Sequence, residues 1–436
     1  MKHRNVAQSV FFVFIAALFA GGSLNLAPSN AQQQKPTPTP AKSRPKPPKL
    51  TSHVVLISIS GLRADHANDP ANFRLKIPAI QALRAKGSYA VGIESVYPSQ
   101  NVPAHVSIAT GVLPADHGVT SDFPFNGQTG SPAAEPHLSA KEIKAETLWD
   151  AAKRESLTTA AAGFPMTADA ALNFNLPEVP VNADAIADLI KKERPNLLLL
   201  HFDSLDAAQR KFGLLSKQAM AALEQIDGSI GKIMAAIAES KLEGETAVLI
   251  VSDRGASQIE QEFRPNVLLA KKKLLESDEQ GNVKSWRAIA QSFGGSAAIF
   301  LKNPQDEKTA REVEKVFAEI EKEHDNPLWR ITLRRDAARL GADPRPLLYL
   351  DAAPRIAISA SAKGSTMGKS EERAAAGYLP SRAEMRATLI LAGKGIKPNQ
   401  RIEYGRLIDI APTVARLLGL EMRSARGRVL TEVIGQ

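Results

Sequence analysis

From His53 onward the chain repeats one pattern, in which a short, wholly apolar run ends in a polar or glycine-containing step and a longer stretch follows with apolar residues three and four apart. Apolar runs of this kind, without polar alternation, belong to strands buried on both faces, and the amphipathic stretches supply helices to cover them. The expected fold class is therefore α/β: a mostly parallel sheet sandwiched by helices. Strands are expected at 53–60, 88–96, 196–203, 246–252, 356–359 and 386–392, with a helix at 77–87. The clearest helix covers 216–240, where Leu223, Ile226, Ile230, Ile233 and Ile237 make one stripe, which is core. Near the end, Asp409 to Thr413 opens another helix, with Pro412 early enough to be tolerated and Gly419 in a stop position.

Between about 265 and 354 the texture changes. A strand-like 295–301, a charged helix at 306–324 and a further apolar run at 347–351 predict a small α+β insertion beside the main sheet, all within one domain at 51–436.

Residues 1–31 have the order of an export signal: Lys2 and Arg4, an apolar run from Val10 to Phe19, then small residues ending at Ala31. The apolar stretch is too short to cross a bilayer comfortably, and no later segment looks membrane-spanning. Residues 32–50 alternate proline with polar and basic residues, as an extended linker does. Seven Lys or Arg and no acid lie in residues 1–50, so of the formal charge of +9 only +2 belongs to 51–436. The folded part thus lacks the charge excess that draws phosphate backbones, and a nucleic-acid partner is not expected. Zero cysteines exclude disulfides, thiolate metal sites and cysteine nucleophiles. An exported protein, periplasmic or extracellular in a bacterium, is the expectation.

Ligands in open α/β sheets sit at the carboxyl ends of the strands. Four polar steps answer that description: Ser60-Gly61, the run from Tyr97 to His105, the run from Asp203 to Gly213, and Ser252-Asp253-Arg254-Gly255. His105 and His117 are expected to be structural, and His53, His66, His137, His201 and His324 show no spacing typical of a metal site.

These steps resemble the type I phosphodiesterases/nucleotide pyrophosphatases of the alkaline phosphatase superfamily. VVLISISGLRADH looks like the family's first strand, which ends in Asp-Gly, and YPSQNVPAHVSIATGVLPADHGV looks like its nucleophile segment. LLHFDSLDAAQRKFG corresponds to its Asp-x-x-Gly-His element, VLIVSDRGA to its Ser-Asp-His-Gly element and LIDIAPTVARLLGL to its closing helix. The resemblance implies an alkaline-phosphatase-like fold and a centre of two zinc ions, held by aspartates and histidines, with a metal-activated hydroxyl that attacks phosphorus.

On the same alignment most of that centre is replaced. Ser60 stands at the first aspartate position and Asn101 at the nucleophile position, where a neutral carboxamide is not a competent nucleophile. Asp206 and Asp253 are retained ligand positions, but Arg210 and Arg254 occupy the two histidine positions beside them, and Ala376 the last one. Asp122 stands where the family carries a phosphate-contacting asparagine. Guanidinium has no lone pair to offer zinc at ordinary pH. No cofactor is expected, zinc entering only if the family site is partly functional. Arg210 and Arg254, each beside a retained aspartate, are expected to form Arg–Asp pairs in the place of the metals, which with Asp122 either bind a phosphate ester or other small anion or serve only as structural ion pairs in a closed-over cleft of a scaffolding protein. Two alternatives stay open: a phosphate or sulfate ester hydrolase with a rearranged site, perhaps one metal at Asp206 and Asp253 with further ligands, and an envelope protein-docking module whose partner the sequence does not name.

Overall fold

The computed structural model describes residues 47–176 and 180–435. The export signal at 1–31 and all of the linker but its last four residues lie outside the described residues. No helix among the described residues is long and apolar enough to cross a membrane.

The main sheet has eight strands: β1 His53–Ile59, β2 Ser88–Ala90, β3 Thr159–Ala162, β4 Phe174–Leu176, β5 Leu197–Phe202, β6 Thr246–Val251, β7 Leu389–Gly393 and β8 Arg401–Ile402. Their spatial order is β8-β2-β7-β6-β1-β5-β3-β4. Every neighbouring pair is parallel except those of β7, which runs antiparallel to both β6 and β2. The expected strand at 88–96 is cut to three residues, and Ile93 and Glu94 make only isolated bridges, to Ala387 and Arg406.

Helices cover both faces. They are α1 Pro78–Lys86, α2 Asn101–Thr110, α3 Leu148–Arg154, α4 Ala183–Glu193, α5 Ser204–Phe212, α6 Lys217–Glu239 and α8 Ile410–Leu418, while α7 Glu307–Ile320 belongs to a second sheet. Successive side chains of a strand point to opposite faces. Accordingly Val54 and Leu56 of β1 join Leu197, Leu199 and Leu249 in a core with Ala104, Trp149 and Val414 of α2, α3 and α8. Val55 and Ile57 join Leu198, Leu200 and Ile250 in the opposite core, with Ile80 of α1, Ile186 of α4 and the stripe Leu223, Ile226, Ile230, Ile233 and Ile237 of α6. Each of those large α6 side chains is at most 2% exposed, which contributes about 1.5–3 kcal/mol apiece. Ser216 caps α6 by accepting from Ala219 N, and Gly419 ends α8 at φ 70.

A second, antiparallel sheet runs Ala288–Ser292, Ser296–Leu301, Leu348–Ala352, Leu328–Leu333, with α7 packed on it through Val313, Val316, Phe317 and Ile320. This sheet and its helix lie in the stretch 288–352, where the sequence changes texture. The strand expected at 356–359 does not enter the main sheet. Ile356–Ile358 instead pairs in parallel with Gln261–Phe263, whose other edge takes Met367–Lys369. Pro354 and Arg355, the latter at φ 66, redirect the chain just before it.

Candidate functional site

The carboxyl ends of β1, β5 and β6 converge as parallel neighbours must, bringing Ser60, the start of α5 and Ser252-Asp253-Arg254-Gly255 into contact. Two glycines make the approach possible. Gly61 sits at φ +75, and at Gly255 a Cβ would lie 2.0 Å from the Glu384 carbonyl oxygen.

Asp253 is fully buried. One of its oxygens accepts from Gly61 N at 3.1 Å, and the other contacts Ser60 Oγ at 3.1 Å. Arg254 is 4% exposed and donates from Nη1 to Asp206 Oδ1 at 2.9 Å, while its Nε lies 3.5 Å from Asp253 Oδ2. A single guanidinium therefore spans both retained aspartates. This corrects the expectation of two separate Arg–Asp pairs: Arg210, one turn beyond Asp206 on α5, turns outward and donates from Nε (3.1 Å) and Nη2 (2.5 Å) to Glu372 Oε1.

Burial alone would raise the pKa of Asp206, but the charge and hydrogen bond of Arg254 prevail and lower it. Burial raises Asp253, with Asp206 adding to the rise and Arg254 opposing it. Burial works against the charge on Arg254, yet the two carboxylates more than offset it and strengthen the guanidinium's hold on its proton.

Beneath the arginine lie two histidines. His201 faces the Gly163 carbonyl through Nδ1 (3.0 Å) and Ser60 Oγ through Nε2 (2.9 Å). His105 faces the Asn101 carbonyl through Nδ1 (2.8 Å) and Ser58 Oγ through Nε2 (2.8 Å). Since carbonyls only accept, each Nδ1 carries the proton and each Nε2 accepts in the neutral ring. Burial lowers the pKa of both, and their rings meet edge-on at 4.3 Å. Ser60 has one hydroxyl proton for two acceptors, His201 Nε2 and Asp253 Oδ2.

Asn101 begins α2, and its Oδ1 is buried without a hydrogen-bond partner. Asp122 accepts from Val102 N at 2.7 Å, so its carboxyl caps α2. Its expected part as an anion-binding group is corrected to that of a helix cap, since the carboxyl is engaged by Val102 N, and burial raises its pKa. Ala376 follows the short pairing of Ala374–Ala375 with Ser257–Gln258 and lines the cleft with Asp122, Asp206, Arg210 and Arg254. The cleft holds about 570 Å³, and an adjoining space of about 500 Å³ is lined by Asn101, Asp203, Asp206, Arg210, Glu371 and Glu372.

The structure thus brings Ser60, Asp206, Asp253 and Arg254 into contact and sets Asn101, Asp122, Arg210 and Ala376 on the walls. It adds His201 against Ser60 and Glu372 against Arg210, which sequence reasoning did not place there. His201 did leave a signal, a lone polar residue in the apolar run of β5.

The donor set does not fit two zinc ions. Between Asp206 and Asp253 lies a charged group without lone pairs, and serine, asparagine and alanine stand where further ligands would have to come from. Among the described residues no group of three or more His, Asp or Glu side chains is placed to hold a metal ion.

A helix-covered, mostly parallel sheet with its polar cluster at the strand ends is the alkaline-phosphatase-like architecture. The chain belongs to the type I phosphodiesterase / nucleotide pyrophosphatase family, whose sequence profile matches residues 54–379. Human ectonucleotide pyrophosphatase/phosphodiesterase family member 1 is 26% identical over 227 residues, 48% of this chain and 24% of that protein. The match thus spans about a quarter of the length of that relative. The solved structure of murine ectonucleotide pyrophosphatase/phosphodiesterase 5 superposes with a TM-score of 0.70 at 16% identity, over 87% of this chain and 100% of that one. An inactive variant of that murine protein in complex with AMP gives 0.70 at 17% identity, over 88% and 100%.

Proposed function

We propose that this chain is an exported family member that binds a phosphate ester or similar small anion without hydrolysing it through a two-zinc centre. The observation that carries this reading is Arg254, buried between Asp206 and Asp253. One fixed cation there neutralises part of the carboxylate charge and offers N–H donors, as phosphate recognition requires. It supplies neither a Lewis acid nor an activated hydroxyl, and Asn101 offers no nucleophile in its place. The AMP bound to the murine relative supports a phosphate ester as the ligand class.

The test is calorimetric titration of the full chain with p-nitrophenyl phosphate, alongside an assay of bis(p-nitrophenyl) phosphate hydrolysis with added zinc. Saturable binding without turnover is expected. Absence of binding would leave the protein-docking reading in its place, and turnover abolished by Asp253→Ala would establish the rearranged hydrolase.

A further inference from the structure

Arg210 and Glu372 are 162 residues apart in sequence and meet across the cleft. Arg210 comes from α5, which also carries Asp206, and Glu372 from the loop that follows Met367–Lys369. The loop is tied to the helix a second time, by Arg373 N donating to the Arg210 carbonyl at 2.7 Å. Asp206, Arg210, Glu371 and Glu372 line both the larger cleft and the adjoining space, so the ion pair stands at the junction of the two. Both of its side chains are about half exposed.

The other arginines of the cleft are already engaged. Arg254 is held by Asp206 and Asp253, and Arg264 by Glu262, to which its Nε donates at 2.7 Å. Arg210 differs in exposure: its two donors converge on one Glu372 oxygen in a pair about half open to solvent, where water weakens the attraction, while the Arg264–Glu262 pair is mostly buried.

We infer that Glu372 is a built-in competitor for the anion site: its carboxylate occupies the donors of Arg210, and a tetrahedral oxyanion entering the cleft displaces it and takes Arg210 as a ligand. This rests on the anion-binding reading above and deepens it, since it names the residue that gates the site. A dianionic phosphate carries more charge and more acceptor oxygens than a carboxylate, so it wins the exchange when it can reach the guanidinium fork.

The test measures inorganic phosphate binding at low salt to the full chain and to four variants: Glu372→Gln, Glu371→Gln, Arg210→Gln and the double Arg210→Gln/Glu372→Gln. Glu372→Gln should tighten binding about three- to tenfold, the gain should vanish in the double variant, and raised salt should shrink it. Glu371→Gln makes the same change in charge in the same loop and should give at most a small gain. An equal gain from Glu371→Gln, or a gain that survives loss of Arg210, reduces the effect to a general field and overturns the inference. Binding by the wild type that Glu372→Gln leaves unchanged also overturns it while sparing the anion-binding reading. No binding by any of the five proteins removes both.

Discussion

A guanidinium buried between two carboxylates faces opposing costs: desolvation of three charges on one side, their mutual attraction on the other. Arg254 meets that balance because Asp206 and Asp253 are each also supported, Asp253 by Gly61 N and Asp206 by the nearby charge of Arg210. Removing the arginine while leaving the acids places two buried carboxylates together with no cation between them. Arg254→Met should therefore destabilise the fold by about 3–5 kcal/mol in urea unfolding at pH 7, and adding Asp206→Asn and Asp253→Asn should recover most of the loss. A cost under about 1 kcal/mol for Arg254→Met would show that the cluster is not held by this charge. The identities at this point were legible in the sequence, because each position follows an apolar strand. The pairing was not: which carboxylate an arginine chooses depends on side-chain direction, so Arg210 passes over Asp206 for Glu372, while Arg254 reaches Asp206 as well as its neighbour Asp253.

At the scale of elements, the long stripe of α6 and the apolar runs of β1, β5 and β6 were readable because their periodicities are unmixed. Ile356–Ile358 was assigned to the wrong sheet, since three apolar residues carry no information about which edge they pair with. His117 shows how elements are tied by a polar group that sequence alone reads only as structural. Its Nε2 meets Ser107 Oγ of α2 at 3.0 Å, and Val119 N donates to its Nδ1 at 3.2 Å. Burial lowers its pKa from 6.5 to about 3. A depressed histidine binds its proton in the unfolded chain first, so its contribution is complete above pH 6.5 and drains away as pH falls toward about 3. Within that window His117→Gln should reduce the slope of stability against pH by about 1.4 kcal/mol per unit relative to the wild type, read from urea midpoints at several pH values. An unchanged slope would mean that the ring is protonated in the fold.

For the whole molecule, the family fold gathers Ser60, Asp206, Asp253 and Arg254 at the strand ends. Parallel pairing holds the ends of β1, β5 and β6 together, and the cleft of about 570 Å³ above them is lined by the buried Arg254. Fold legibility was high because backbone architecture answers to apolar periodicity summed over hundreds of residues. Site legibility was partial, because Glu372 and His201 reach the centre only through tertiary packing. In the proposed reading Arg254 stands where the family holds metal, and zinc stoichiometry of the full chain after exposure to excess zinc tests that most directly. Zinc at the level of the buffer blank is expected. Two zinc ions per chain, accompanied by phosphodiester turnover that Asp253→Ala abolishes, would contradict it.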